Sequence, residues 1–188
     1  MSLVDRCKEL TDRAIACDSE ISRQLTVAEG TLWRRRGAAV GAHLGDGLLW
    51  LLLALSALLW GDASLKGVAL QSLTAMIVSA GSVTLIKFSL RRRRPLEPAE
   101  GFFFSRYDHY SFPSGHAARM ACLTLLMWAS HSSFTLPLCA LTLATLLSRL
   151  HLGLHYLSDI IGGLVIGLCL GLGVTALWAQ LLAQVPIP

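Results

Sequence analysis

The chain has 188 residues, of which 54% are hydrophobic and only 15% are charged, and its mean hydropathy is +0.57. Soluble globular domains carry about 25% charged residues, so this composition excludes an ordinary soluble domain and predicts a membrane protein. The formal charge of +4 comes mainly from two short runs, residues 33–36 and 91–94. Basic runs beside apolar segments typically contact lipid phosphates or set orientation in the bilayer, so no nucleic acid partner is expected.

The first predicted unit, residues 1–36, consists of an amphipathic helix and a basic linker. Its apolar residues recur at alternating steps of four and three, the spacing of one helix stripe. The stripe consists of Leu3, Cys7, Leu10, Ala14, Cys17 and Ile21. Acidic and basic side chains are mixed on the other face, so the helix lacks the basic bias that favours an anionic membrane surface. Packing on its own bundle and packing on a second copy, as in a homodimer, explain the stripe equally well, and Gly30 is expected to end the helix.

Residues 37–188 are predicted to form an all-α, polytopic membrane helical bundle. About 20 apolar residues suffice to cross the hydrocarbon core, and the five predicted helices cover residues 38–60, 66–88, 114–131, 133–151 and 158–182. The polar stretch SHSSF divides an uncharged run that is too long for one untilted span. Five spans place residues 87–117 and 148–159 on the same side of the membrane. Gly163 and Gly167 in the last helix have the spacing that allows another helix to approach closely.

The first polar motif is KFSLRRRRP, residues 87–95. Lys87 follows a full apolar span, and Arg94 lies two helical turns further on, so the two side chains share one face if the helix continues to Pro95. The intervening Arg91, Arg92 and Arg93 are interpreted as an anchor that sets the orientation of the chain in the bilayer.

The second motif is SFPSGHAAR, residues 111–119. Pro113 followed by Ser114 is typical of a helix start with serine as the N-cap. The amides of Gly115 and His116 then point out of the helix terminus and can bind an anion, which glycine allows to approach closely. His116 is placed to give a proton to the group that carries the anion. The alternative is an ordinary turn with a hydrogen-bonded histidine.

The third motif is SRLHLGLHYLSD, residues 148–159. Asp159 follows His155 by four residues, so its carboxylate can accept the imidazole N–H and stabilise the charge that develops if the other nitrogen attacks an electrophile. His151 and His155 also form an HxxxH pair, which raises zinc as an alternative. A metal at His155 would leave the basic residues unexplained, so no metal site is predicted.

Together the motifs predict phosphoryl transfer without a metal. Lys87, Arg94 and Arg149 supply positive charge, Ser114 and nearby amides supply hydrogen-bond donors, and two histidines supply a nucleophile and an acid. Positioning and electrostatic stabilisation of the phosphoryl oxygens are what this chemistry requires.

The three motifs resemble the three-part signature of the type 2 phosphatidic acid phosphatase superfamily, which also includes vanadium haloperoxidases. The resemblance rests on Lys87-x6-Arg94-Pro95, then Pro113-Ser114-Gly115-His116, then Ser148-Arg149-x5-His155-x3-Asp159. Within the superfamily, IKFSLRRRRP and HYSFPSGHAAR look most like the branch of animal polyisoprenoid (presqualene) diphosphate phosphatases and plant relatives.

The resemblance implies a role for each of these residues. His155 would attack phosphorus and form a phosphohistidine, with Asp159 orienting it. His116 would protonate the leaving group and then activate water. The phosphoryl oxygens would be held by Lys87, Arg94, Ser114, Gly115 and Arg149. Relatives of this kind work without Mg²⁺, so no metal and no other cofactor is expected.

The identity of the lipid stays open at this point. Isoprenoid diphosphates or monophosphates are favoured by the branch resemblance, and phosphatidate, phosphatidylglycerophosphate and undecaprenyl diphosphate are alternatives. A non-catalytic membrane scaffold is opposed by the intact His116, His155 and Asp159, and a haloperoxidase is opposed by the membrane spans. The expected partners are therefore a lipid phosphate substrate and the membrane lipids.

The predicted location is a multi-pass one in the endoplasmic reticulum, the plasma membrane or an inner membrane. Of the 16 Lys and Arg residues, only Lys66 falls in a loop on the side opposite the motifs. The positive-inside rule therefore predicts an active site that faces the cytoplasm.

Overall fold

The computed structural model describes residues 3–26, 32–95, 110–130 and 132–184, and these residues form helices joined by short connections, without a strand. The seven helices are α1 (Leu3–Leu25), α2 (Leu32–His43), α3 (Gly47–Trp60), α4 (Ala63–Leu90), α5 (Gly115–Ala129), α6 (Thr135–His151) and α7 (Leu157–Ala183). This confirms the all-α prediction for the described part of the chain. Gly30, the predicted end of the first helix, lies outside the described residues.

The first predicted membrane helix, 38–60, is broken. α2 and α3 meet at an angle of 46°, and Asp46, the residue before α3, has an extended backbone. A charged carboxylate within an apolar span is costly in hydrocarbon unless it faces the protein interior and finds a partner. The break gives Asp46 both an interior position and a partner, because it turns the carboxylate towards the centre of the bundle, where the side chain of His116 contacts it.

By length and apolarity, the described helices supply fewer spans than the five that the sequence predicted. α4 and α7 are long and apolar enough to cross a membrane, and the bent pair of α2 and α3 makes a third if it is counted as one span. α5 has 15 residues and α6 has 17, which is short of the length that a perpendicular crossing needs.

α5 lies at the centre of the bundle and packs against α4, α6 and α7. Its buried side chains Met120, Leu123 and Leu126 form the core with Leu138 of α6 and Val174 of α7. α5 and α7 approach closely through glycines of α7. A Cβ atom added at Gly163 would lie 2.5 Å from the carbonyl oxygen of Ser114, and one added at Gly167 would overlap the carbonyl group of Ala118. The close approach predicted for this glycine pair is confirmed.

α4 ends before the proline that the sequence predicted as its stop. Its last residue is Leu90, and Arg91 takes a left-handed conformation with φ of 50° while its N–H donates to the carbonyl oxygen of Lys87 at 2.9 Å. Lys87 and Arg94 therefore reach the same region from a helix end and from the extended segment after it, and not from one helix face.

α1 contacts the bundle through polar side chains on one of its faces. The Ser22 hydroxyl accepts from the N–H of Leu157 at 2.9 Å, and Ser22 itself is buried. The described part of the apolar stripe points away from the bundle, with Leu10 62% exposed and Ile21 40% exposed. This part of the stripe therefore does not pack on the bundle of its own chain. Packing on a second copy stays a prediction.

Candidate active site

The N-terminus of α5 forms the floor of the candidate site. Ser114 is fully buried and caps the helix, because its hydroxyl accepts from the N–H of Ala117 at 3.4 Å. The N–H of Ser114 in turn donates to the carbonyl oxygen of Asp159 at 2.9 Å, which fixes this helix start against α7. Gly115 and His116 are the first two residues of α5, whose amides have no acceptor within the helix. The predicted N-cap is confirmed.

His116 lies between a carboxylate and a guanidinium. Its Nε2 is 2.8 Å from Oδ1 of Asp46, and its Nδ1 is 2.7 Å from Nη2 of Arg149. The same Arg149 nitrogen also contacts Nε2. With its proton on Nε2, the imidazole donates to Asp46 and accepts from Arg149 through Nδ1. The histidine is thus held on both ring nitrogens.

Asp46 joins three basic side chains. Its Oδ2 accepts from Nδ1 of His43 at 2.7 Å, its Oδ1 accepts from His116, and Nη2 of Arg149 lies 3.7 Å from Oδ1. The three sequence motifs do not include Asp46. The signal was present, since an ionisable residue inside an otherwise apolar membrane segment usually marks a functional site.

His155 lies in the connection between α6 and α7 and is 2% exposed. Its Nδ1 is 3.5 Å from Oδ2 of Asp159, longer than an ordinary hydrogen bond. Asp159 is fully buried in the first turn of α7, where its Oδ2 accepts from the N–H of Tyr156 at 2.8 Å. The structure therefore places the carboxylate beside the imidazole, as the four-residue spacing predicted.

Arg92 differs from the membrane anchor that the sequence predicted. Its Nη1 donates to Oδ1 of Asp159 at 2.8 Å, its Nη2 donates to Oδ2 of Asp18 in α1 at 2.6 Å, and its guanidinium lies 4.1 Å from the centre of the Tyr156 ring. Arg91 and Arg93 are exposed. Because α4 ends at Leu90, the extended segment that follows turns Arg92 inward.

Positive charge surrounds the buried His155. Lys87 is 8% exposed and Arg149 is 7% exposed, and Nη1 of Arg94 donates to the carbonyl oxygen of Leu154, the neighbour of His155, at 2.9 Å. Burial lowers the pKa of His155 to about 4; contact with Asp159 opposes this change, and the charges of Arg94, Arg149 and Lys87 add to it. The imidazole is therefore neutral at pH 7, with a lone pair available inside a cationic site.

All eight site residues predicted from the three motifs lie at one end of the bundle, where the ends of α4 and α6 meet the starts of α5 and α7. They are Lys87, Arg94, Ser114, Gly115, His116, Arg149, His155 and Asp159. The sequence predicted this meeting, because five spans place the ends of the second and fourth predicted helices and the starts of the third and fifth on the same side of the membrane.

The comparisons with known proteins agree with the motif pattern. Residues 68–182 match the family model described as the PAP2 superfamily. The chain belongs to this superfamily. Decaprenylphosphoryl-5-phosphoribose phosphatase of Mycobacterium tuberculosis is 33% identical to this PAP2 protein over 143 residues, which cover 76% of this chain and 77% of the relative.

Two solved structures share the fold. The PAP2 type phosphatidylglycerolphosphate phosphatase from Bacillus subtilis has a TM-score of 0.71 at 20% identity, with 89% of this chain and 87% of that chain covered. LpxE of Aquifex aeolicus has a TM-score of 0.67 at 20% identity, with 84% and 93% covered. These two structures show the helical fold of the PAP2 protein, and the family match and the relative make it an integral membrane lipid phosphatase.

The zinc alternative has no set of candidate ligands among the residues that the structure describes. Nδ1 of His151 lies 2.7 Å from the carbonyl oxygen of Leu147 in its own helix. Among the described residues, no three side chains of His, Cys, Asp or Glu come close enough to hold a metal ion.

Proposed function

We propose that this PAP2 protein removes phosphate from isoprenoid-linked phosphates or diphosphates through a phosphohistidine intermediate and without a metal ion. The isoprenoid part of the proposal is supported by the branch resemblance of the first two motifs and by the relative whose name specifies a decaprenylphosphoryl substrate. A long hydrocarbon chain can stay in the bilayer while its phosphate enters a site at the end of the helix bundle.

The observation that carries the proposal is the placement of the buried His155 between a carboxylate and three cations. Asp159 lies beside one ring nitrogen, and the charges of Lys87, Arg94 and Arg149 act on the ring from the site. A phosphoryl group with two or three anionic oxygens fits such a site, because the surrounding cations stabilise its negative charge. The amides at the start of α5 add hydrogen-bond donors on the same anion.

In the first step, Nε2 of His155 attacks phosphorus and the bond from phosphorus to the leaving oxygen breaks. The proton on Nδ1 lies towards Asp159, which stabilises the positive charge that the ring acquires. His116 transfers a proton to the leaving oxygen, so the product is a neutral alcohol or a protonated phosphate. Arg149, which contacts His116 in the substrate-free site, would bind the phosphoryl oxygens instead.

In the second step, the neutral His116 takes a proton from a water molecule, and the water oxygen attacks phosphorus. The bond from phosphorus to Nε2 of His155 breaks, inorganic phosphate leaves, and His155 regains its lone pair. His116 is again protonated and ready for the next substrate. The cycle needs no redox partner and no metal-bound oxygen.

Phosphate release from a panel of lipids in detergent tests the proposal. The panel contains prenyl monophosphates, prenyl diphosphates, phosphatidate and phosphatidylglycerophosphate, each with EDTA present. We expect EDTA-resistant release, with a higher kcat/KM for the prenyl substrates. Loss of activity on chelation that Mg²⁺ or Zn²⁺ restores would contradict the metal-free step, and preference for phosphatidate over every prenyl compound would contradict the substrate.

Variants of the two neighbouring histidines test the intermediate. His155→Ala should abolish turnover and the incorporation of labelled phosphate into the protein, whereas Asp159→Asn should leave weak activity because the nucleophile remains. His151→Ala is the matched control, since His151 bonds to its own helix and should retain activity. An equal loss of turnover in His151→Ala would favour the metal alternative. Incorporation of labelled phosphate into His155→Ala would show that another residue is the nucleophile.

A further inference from the structure

We propose that Asp46 is the positioning residue for His116, and that the two form a second histidine–carboxylate pair beside His155 and Asp159. The inference rests on the proposed function, because it concerns how the acid and base of that reaction is held. It is carried by the bond of 2.8 Å from Nε2 of His116 to Oδ1 of Asp46, made at the point where α2 and α3 are broken.

The break between α2 and α3 is shaped around His116. A Cβ atom added at Gly45 would lie 3.0 Å from Cδ2 of His116 and 2.6 Å from Cγ2 of Thr145, so only glycine lets the chain pass this close to the ring. Nη1 of Arg119, one turn after His116 on α5, donates to the carbonyl oxygen of Gly45 at 2.7 Å. The backbone that presents Asp46 is therefore fixed to the same helix that carries His116.

Asp46 also compensates for the charge of Arg149. A guanidinium in contact with His116 disfavours a second positive charge on the imidazole. The carboxylate on the other ring nitrogen opposes this effect and remains ionised, since each oxygen has a basic partner, His116 on Oδ1 and His43 on Oδ2. Asp46 thus favours the protonated form of His116 beside a cation that the substrate phosphate requires.

The geometry also assigns the nitrogen that works on substrate. Nε2 keeps its proton on Asp46 throughout, so Nδ1 is the nitrogen that donates to the leaving oxygen and later accepts from water. In the substrate-free site Nη2 of Arg149 contacts both ring nitrogens, and Nδ1 is the one that is not also bonded to Asp46. When the guanidinium binds a phosphoryl oxygen, the leaving oxygen attached to the same phosphorus comes next to Nδ1.

Asp46→Asn tests the inference through the dependence of the rate on the leaving group. The amide keeps a hydrogen-bond acceptor but removes the charge. General acid catalysis contributes roughly 10²- to 10⁴-fold, so turnover of an alkyl lipid phosphate should fall by about 10²-fold. The first turnover of p-nitrophenyl phosphate, whose leaving group needs no proton, should keep its rate and appear as a burst of p-nitrophenol. Slow hydrolysis of the phosphohistidine should follow, because His116 is also the base.

Inorganic phosphate as an inhibitor separates this role from a merely structural one. Removal of a negative charge 3.7 Å from Arg149 should leave phosphate inhibition equal or stronger in Asp46→Asn, whereas a collapsed site would bind phosphate more weakly. Asp62→Asn is the matched control, because Asp62, like Asp46, is the N-cap residue of a helix and lies at the end of α4 away from the site. It should keep wild-type kinetics with both substrates.

The outcomes distinguish the inference from the function on which it rests. Wild-type turnover of the lipid phosphate by Asp46→Asn would overturn the role of Asp46 and leave the phosphatase proposal standing. Loss of both the burst and phosphate inhibition would also overturn it, since Asp46 would then support the fold and not the proton. Absence of phosphate release from every substrate by the wild-type protein would overturn the proposed function itself.

Discussion

Arg92 donates a hydrogen bond of 2.8 Å to Oδ1 of Asp159, the carboxylate beside His155. The other nitrogen of the same guanidinium bonds to Asp18 in α1, and Asp18 also accepts from the N–H of Ser158 at 3.0 Å. The N-terminal helix is therefore connected to the candidate nucleophile through two ion pairs, which gives a helix outside the matched family region a direct structural link to the site.

Asp18→Asn should loosen α1 and lower the rate. Burial raises the pKa of Asp18, but the hydrogen bonds from Ser158 and Arg92 outweigh this and leave it below its usual range, so the ionised form is the one that holds the helix. Loss of one partner of a partly buried ion pair is costly. We expect faster proteolytic cleavage within α1 and a kcat about tenfold lower, since Asp159 is then held less firmly.

Glu20→Gln is the control for this prediction. Glu20 pairs with Arg23 of the same helix, on its exposed side, and such pairs contribute little to stability. Cleavage and turnover should match the wild type. An Asp18→Asn variant that is cleaved faster but turns over normally would show that α1 packs on the site without affecting it.

The pH profile should reveal the neutral state of His155. Its pKa in the free protein is lowered to about 4 from the usual 6.5, and the neutral ring is the nucleophile. Activity is therefore lost only as pH falls through the lower value, so the acidic limb of kcat/KM should be centred near pH 4. The measurement needs correction for the ionisation of the substrate phosphate, and activity recovered at pH 7 controls for denaturation. A limb near pH 6.5 would contradict the cationic, buried environment of the ring.

Gly167→Ala should destabilise the PAP2 protein, because the new Cβ atom overlaps the carbonyl group of Ala118 and must push α5 and α7 apart. The two helices carry His116 and Asp159, so turnover should fall together with the melting temperature in detergent. Gly173→Ala on the same helix is the matched control, since nothing lies within 4 Å of its added Cβ atom. Equal melting temperatures of the two variants would argue against close packing at Gly167.

The side of the membrane that the site faces can be tested with single cysteines in an otherwise cysteine-free chain. Arg93 at the site end and Ser64 at the other end are both exposed. If the positive-inside rule holds, an impermeant thiol reagent added to sealed cells should label Ser64→Cys and leave Arg93→Cys unlabelled until the membrane is permeabilised. The reverse pattern would place the site outside the cytoplasm.

The sequence alone determined the features that depend on residues close together in the chain. The N-cap at Ser114, the carboxylate one turn after His155 and the turn that separates α5 from α6 each follow from local chemistry within a few residues. The meeting of the three motifs at one end also followed, because apolar helices joined by short polar connections alternate in direction between the two ends of a bundle.

Only the tertiary structure decided which polar groups hold the site residues in place. Asp46 and His116 are 70 positions apart, and Asp18 and Arg92 are 74 apart, so no local spacing connects them. Asp18 is one of several charges on the polar face of α1, and Asp46 lies in an apolar segment, but the sequence does not show which residue either carboxylate pairs with. The bend between α2 and α3 and the early end of α4 bring these charges inward, and both depend on the free energy of pairing buried charges across the assembled bundle.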